Sequence, residues 1–274
     1  IGRDRWVQCI ASSNGGSHIA VGGVNSEIAI LDVENGWDSV MGIELKGVVP
    51  LSAKWHPKDQ YIALTGQGTT ILAVETTNAR HVKGHHLHSI SPVLSIEFSP
   101  DGRMAVIGNE AGVVTFYSLS GTTFITAYEL IIPLDNRICT QWSLNGMFVV
   151  IGSKDSLMVV GRKRNKRQGK KCPPNASGFS VKKVMKDLGS TNAVSIDFQS
   201  HYVAVSGDTC TRILDVRADF AIVREWTNGP YYANSWSPDG RWLAVIGQEQ
   251  FLTIYDTSSK HIDRWRPIFS MKCD

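Results

Sequence analysis

Short apolar runs, each bounded by a turn signal, recur along the chain. Met104-Ala105-Val106-Ile107, Phe148-Val149-Val150-Ile151 and Trp242-Leu243-Ala244-Val245-Ile246 are the most regular, and each ends in a glycine. Runs this short suit strands and not helices. They are apolar at every position, where a strand with one wet face would alternate. That pattern predicts strands covered on both faces. Asp101-Gly102, Asn145-Gly146 and Asp239-Gly240 precede the three runs. Such pairs tolerate positive φ and predict tight hairpins leading into the strands. No stretch predicts a convincing helix. Val181-Lys182-Lys183-Val184-Met185-Lys186 reads as an outer strand.

The runs belong to a repeat. Phe98-Ser99-Pro100-Asp101-Gly102 and Trp236-Ser237-Pro238-Asp239-Gly240 are near copies, and Trp142-Ser143-Leu144-Asn145-Gly146 stands in the same register. Trp55-His56-Pro57 leads to Ala63-Leu64-Thr65-Gly66, and Phe198-Gln199-Ser200 leads to Ala204-Val205-Ser206-Gly207. The faintest copy ends in Ile19-Ala20-Val21-Gly22-Gly23, with a serine at its aromatic position. The anchors Trp55, Phe98, Trp142, Phe198 and Trp236 are spaced by 43, 44, 56 and 38 residues. A period of about 40–50 residues predicts an all-β propeller of four-stranded antiparallel blades. Six units are readable, at roughly 1–46, 47–84, 85–130, 131–188, 189–226 and 227–274, forming one domain. The anchors are expected in equivalent buried positions, and Trp37, Trp226 and Trp265 lie outside them. Unit one has its own fourth strand near Met41-Gly42-Ile43-Glu44, and the last unit has one near Ile262-Asp263-Arg264-Trp265. With no spare closing strand in view, the chain makes either a six-bladed ring or part of a seven-bladed one. The missing initiator Met favours the second.

With these turns in place, the chain resembles the WD40-repeat β-propellers. The third strands end in an acid, at Leu31-Asp32, Val74-Glu75, Leu214-Asp215 and Tyr255-Asp256, where that family has Trp-Asp. Gly84-His85 matches its Gly-His dipeptide. The departures are that none of these strands ends in Trp-Asp and that Gly-His appears in one unit. The resemblance implies that the buried His–Ser/Thr–Asp brace of typical blades is missing from most of these.

Charge changes this picture in one place. The net charge is +3, and seven positive charges lie between Arg162 and Lys171, so the remainder is mildly acidic. Arg162, Lys163, Arg164, Lys166, Arg167, Lys170 and Lys171 sit in an insertion at 162–178 that accounts for the long 56-residue spacing. It lies between the third and fourth strands of unit four, on the same end as the Asp-Gly turns. Such a run suits phosphate contact, with RNA or DNA, or nuclear import; the bland alternative is a solvated insertion with no partner.

Cys9, Cys139, Cys172, Cys210 and Cys273 form no C-x-x-C pair. That argues against a disulfide framework or a zinc site and for a reducing compartment, cytoplasmic or nuclear. No apolar run approaches the roughly 20 residues of a membrane span. His81, His85, His86 and His88 are clustered without a nearby cysteine or carboxylate, so no metal and no cofactor is expected. The motifs of serine hydrolases, phosphate loops and zinc proteases are absent. The expected role is therefore a non-catalytic scaffold for proteins or peptides, with no small-molecule substrate. The alternatives are a nuclear or RNA-associated propeller and, after it, a propeller hydrolase. The resemblance implies a partner face made by second-to-third and fourth-to-first connections. Asn109, Glu110, Lys154, Asp155, Asp208, Gln248 and Glu249 belong to it, with His85 to His88.

Overall fold

The computed structural model describes residues 7–45, 49–66, 70–75, 84–89, 91–121, 123–132, 137–162, 178–227, 229–247, 251–259 and 261–272. The side chains of 70–75 and 84–88 lie outside that description. The described residues form six four-stranded antiparallel sheets, each a meander of strands consecutive in the chain.

The first sheet holds β1 (Val7–Ser12), β2 (His18–Gly23), β3 (Glu27–Asp32) and β4 (Ser39–Glu44). The second holds β5 (Pro50–Trp55), β6 (Tyr61–Gly66), β7 (Thr70–Glu75) and β8 (Gly84–His88). The third is β9 (Val93–Phe98), β10 (Met104–Asn109), β11 (Val113–Ser120) and β12 (Thr123–Ile131). The fourth is β13 (Cys139–Trp142), β14 (Phe148–Gly152), β15 (Ser156–Arg162) and β16 (Phe179–Lys186). The fifth is β17 (Thr191–Ile196), β18 (Tyr202–Gly207), β19 (Thr211–Asp215) and β20 (Ala221–Trp226). The sixth is β21 (Tyr231–Trp236), β22 (Trp242–Gly247), β23 (Phe251–Asp256) and β24 (Arg266–Lys272).

The chain separates into two compact units. One carries β1–β12 and the other β13–β24. Within each, adjacent sheets pack face to face. Trp55, Ile62 and Leu64 of the second sheet meet Ile28, Ile30 and Ile43 of the first. In the other unit, Val194, Ile196 and Val203 of the fifth sheet meet Val150 and Leu157 of the fourth. Second strands lie inside these stacks. β6 and β10 are buried at every residue, as their unbroken apolar runs require.

All six first turns share one hydrogen-bond scheme. The fourth turn residue donates its N–H to the carbonyl of the first: Gly16 to Ser13, Asp59 to His56, Gly102 to Ser99, Gly146 to Ser143, Ser200 to Asp197 and Gly240 to Ser237, all at 2.7–3.1 Å. That fourth residue always has positive φ, from 52° at Asp59 to 76° at Gly16. Glycine adopts this conformation without strain, and Asp or Ser adopts it with some. In five of the six turns, all but that of His56, the first residue also caps the returning strand. Ser99 Oγ accepts from Met104 N at 2.9 Å, and Asp197 Oδ1 accepts from Tyr202 N at 2.6 Å.

Three sequence expectations need correcting. Phe198 is not the fifth aromatic anchor. Ile196 pairs with Val203 as Trp142 pairs with Val149, so Ile196 holds the anchor position. Phe198 is a turn residue, 54% exposed like Leu144 at 50%. The last unit's fourth strand is Arg266–Lys272, while Ile262–Arg264 is a short 3-10 turn. That turn drops Trp265 into the core, 1% exposed, with its indole N–H on the Ser259 carbonyl at 2.9 Å. The second sheet runs past residue 84, because Gly84–His88 pairs with β7. Of the three outlying tryptophans, Trp37 is exposed, Trp226 is part-buried against Tyr255, and Trp265 is buried.

Cys9 and Cys210 are free thiols, and Cys172 and Cys273 lie outside the described residues. Burial pushes the Cys9 thiol up to about 11 and raises that of Cys210. Since the thiolate is the nucleophile, iodoacetamide at pH 8 is expected to leave Cys9 unmodified in the folded protein and to alkylate it once urea unfolds the chain. Mass mapping of labelled peptides checks this, and rapid labelling of folded Cys9 contradicts its place in the core.

Candidate interaction surfaces

Each sheet has two ends. One carries the first-to-second and third-to-fourth connections, the other the second-to-third and fourth-to-first.

At the first end, the acids that close the third strands cap the next turn. Asp32 accepts from Glu34 N, Asn35 N and Asn35 Nδ2 at 2.7–3.1 Å. Asp215 accepts from Arg217 N at 2.8 Å and from its guanidinium at 3.0–3.1 Å. Asp256 accepts from Ser258 N at 2.9 Å. These hydrogen bonds, led by Asn35, Arg217 and Ser258 respectively, hold all three carboxyls below the usual range. A lowered carboxyl stabilises the fold above its unfolded pKa, near 4, and that contribution disappears as pH falls through the folded value. The melting temperature is therefore expected to be level from pH 7 to about 5 and to fall below about pH 4. A melting temperature that rises on acidification contradicts the capping role.

The basic insertion leaves from this same end. Arg162, the last residue of β15, pairs with Phe179 at the start of β16. Its guanidinium lies 5.7 Å from the Phe179 ring centre, and its backbone N–H donates to Met147 O at 3.0 Å beside the first turn. Lys163, Arg164, Lys166, Arg167, Lys170 and Lys171 lie outside the described residues.

At the second end, Glu110, Lys154 and Asp155 are exposed. Asn109 is 5% exposed, and its amide holds the turn, donating to Ser89 Oγ at 3.1 Å and accepting from Val113 N at 2.9 Å. Gln248 and Glu249 lie outside the described residues, as does His81, and so do the side chains of His85, His86 and His88. Asp208 is the centre of a polar cluster that sequence reasoning missed. Arg137 pairs with it at 3.1 Å and also donates to Asn192 Oδ1 at 2.7 Å and Ser190 Oγ at 3.2 Å. Asn192 Nδ2 in turn reaches Asp208 Oδ1 and Tyr231 O, both at 2.9 Å. The cluster ties the starts of the first strands of three consecutive sheets. Asn192 first, then Arg137, holds the Asp208 carboxyl below the usual range. Among the described residues, no three His, Cys, Asp or Glu side chains are arranged to hold a metal ion. No described helix is long and apolar enough to cross a membrane.

No family model matches the chain. An alignment of 154 positions, covering 52% of the chain, is 25% identical to the periodic tryptophan protein 2 homolog of Mus musculus and covers 16% of that protein's length. The β-propeller domain of Cps50 (Swd1) from Myceliophteria thermophila aligns with a TM-score of 0.75 over 91% of this chain and 82% of that one, at 16% identity. Six four-stranded meanders, their shared turn scheme and this likeness lead to one conclusion: the chain has the fold of a WD40-type β-propeller.

Proposed function

We propose that the chain is a non-catalytic scaffold that docks proteins or peptides. The observation that carries this is the division of labour within each blade. The six turns keep one backbone hydrogen-bond scheme while their outer side chains differ freely, from Pro57-Lys58 to Leu144-Asn145 and Phe198-Gln199. Rigid sheets with variable exposed connections present a binding surface that changes without cost to the core. WD40-type propellers generally act as protein-interaction scaffolds. The six turns lie at the first end; the docking face in this reading is the second, which the resemblance to WD40 propellers implies and where Glu110, Lys154 and Asp155 are exposed, in the cytoplasm or the nucleus. Photo-crosslinking from this end, followed by partner capture, tests it. Glu110→Lys, Lys154→Glu and Asp155→Lys together are expected to abolish capture without changing the melting temperature. Capture that survives all three reversals rejects this face.

A second reading is supported by the anchoring of the basic insertion. The paired Arg162 and Phe179 give it a fixed two-stranded base, and seven positive charges between 162 and 171 suit phosphate. Deleting residues 163–171 is expected to weaken RNA binding. Log affinity should fall against log salt with a slope of about 0.7 per phosphate contact on a single strand. RNA binding indifferent to both salt and the deletion removes this reading.

A further inference from the structure

A cleft of about 670 Å³ opens between the fifth and sixth blades, at the end carrying the first turns. Tyr202, Trp236 and Trp265 line it together with Asp197, Arg217 and Arg241. Its origin is visible by comparison with the gap between the second and third blades, where each position has a counterpart. There, His56 occupies the first turn position. Its ring stacks on Tyr61 at 4.7 Å, meets Phe98 edge-on at 5.6 Å, and bonds to the Gly102 carbonyl at 3.0 Å. The gap is plugged so tightly that a Cβ on Gly102 would lie 2.5 Å from the imidazole.

In the fifth blade the plug is gone. Asp197 stands where His56 does, and its short side chain is turned back onto its own turn, accepting from Gln199, His201 and Tyr202 N–H groups at 2.6–3.2 Å. Tyr202 replaces Tyr61, Trp236 replaces Phe98 and Gly240 replaces Gly102. The aromatic walls remain and the filling ring is missing. Trp265 closes the floor, edge-on to both Tyr202 at 5.3 Å and Trp236 at 5.6 Å.

The charged groups of the lining divide by their partners. Asp197 is held by backbone N–H groups, and Asp239 accepts from Ser237 Oγ and Arg241 N. Arg217 is clamped by Asp215 and Tyr202 Oη at 2.8–3.1 Å. Arg241 is exposed and lies 4.7 Å over the Trp242 ring; after the hydrogen bonds from Ser237 and Ser258, its charge helps to hold the Asp239 and Asp256 carboxyls below their usual range, but it makes no direct salt bridge among the described residues. The Trp236 indole N–H has no acceptor among the described residues but is itself buried and not open to the cleft, whereas Trp55 at the same repeat position donates to Ala11 O at 3.0 Å. Guanidinium and indole N–H groups donate and never accept. The walls thus offer aromatic surface and one exposed cationic donor, Arg241, beside the Asp197 and Asp239 carboxylates, which are engaged by their own turns.

We propose that this cleft binds an acidic peptide segment, its carboxylate on Arg241 and a neighbouring apolar side chain on the Tyr202–Trp236–Trp265 surface. The proposal rests on the scaffold reading and names a partner chemistry for it, at the opposite end from that docking face. Acetylated octapeptides carrying one Asp or Glu beside a Phe or Leu, in a Gly/Ser background, serve as probes of the full chain by fluorescence polarisation. Matched peptides carry Asn or Gln instead of the acid. The acidic peptides are expected to bind at least tenfold more tightly than the amides. Arg241→Gln is expected to bring that ratio near one with the melting temperature unchanged. Asp197→His, which restores the plug of the second blade, is expected to weaken all the peptides at least tenfold. Equal binding of acids and amides, or a preference that survives Arg241→Gln, overturns the proposal. If crosslinked partners still map to the second end while the octapeptides fail, this inference alone falls; if neither binds, the scaffold reading falls with it.

Discussion

Replacing Trp142 by alanine is expected to lower the free energy of unfolding by about 3–5 kcal/mol, the usual cost of truncating a buried large aromatic. Trp142 is 2% exposed and meets Phe179 edge-on at 6.1 Å. It therefore joins the first strand of its blade to the fourth. Phe198→Ala is the internal comparison. Its side chain is 54% exposed on a turn, so the loss is expected to stay below about 0.5 kcal/mol, as for surface substitutions generally. Urea unfolding followed by far-ultraviolet circular dichroism measures both. A Trp142→Ala loss below about 1 kcal/mol, or a Phe198→Ala loss above about 2 kcal/mol, contradicts the register of β13 and β17.

Gly207→Ala is expected to be nearly as damaging, by on the order of 3 kcal/mol, at the upper end of overpacking effects. A Cβ on Gly207 would lie 2.0 Å from the Ser190 carbonyl oxygen, so one backbone segment must move. The movement cannot stay local. Ser190 Oγ and the neighbouring Asp208 both bond to Arg137, and Ser190 O accepts from Asp208 N at 3.3 Å. Gly42 supplies the control: nothing lies within 4 Å of a Cβ there. Gly42→Ala is expected to change stability by no more than about 0.5 kcal/mol. Thermal melts of the two variants side by side decide the point; equal melting temperatures reject the close approach at Gly207.

The blade architecture was legible because its signals are local. A turn with positive φ followed by an apolar run carries its own register, and both recur in every unit. The fifth unit shows where that legibility stops. Phe198-Gln199-Ser200 imitates Phe98-Ser99, and the resemblance shifts the anchor by two residues. The true marker is the returning run from Tyr202, whose pairing puts Ile196 in the core. Asp197 then takes over the cap that serine provides in four of the other blades, a substitution that hydrogen bonding permits and a motif search overlooks. The Arg137 cluster was illegible for a different reason. The partners of Arg137 are 53 to 71 residues from it in the chain, Tyr231 beyond them is farther still, and all meet only once three blades are stacked. The acids at the third-strand ends were visible in the sequence, but their work as turn caps shows only in the geometry. The interblade cleft was equally hidden, since it depends on what Asp197 does not fill.

The strict meander also sets what the chain can absorb. Every strand pairs with its sequence neighbour, so forming a hairpin closes only the connection between them. Between Asp32 and Ser39 that connection is six residues, and between Arg162 and Phe179 it is sixteen. Loop-closure entropy grows with the logarithm of length, so the longer closure costs only about 0.9 kcal/mol more. A third-to-fourth connection is thus a port for grafting, where a blade accepts a foreign segment of a dozen or so residues at a penalty smaller than that of losing one buried side chain.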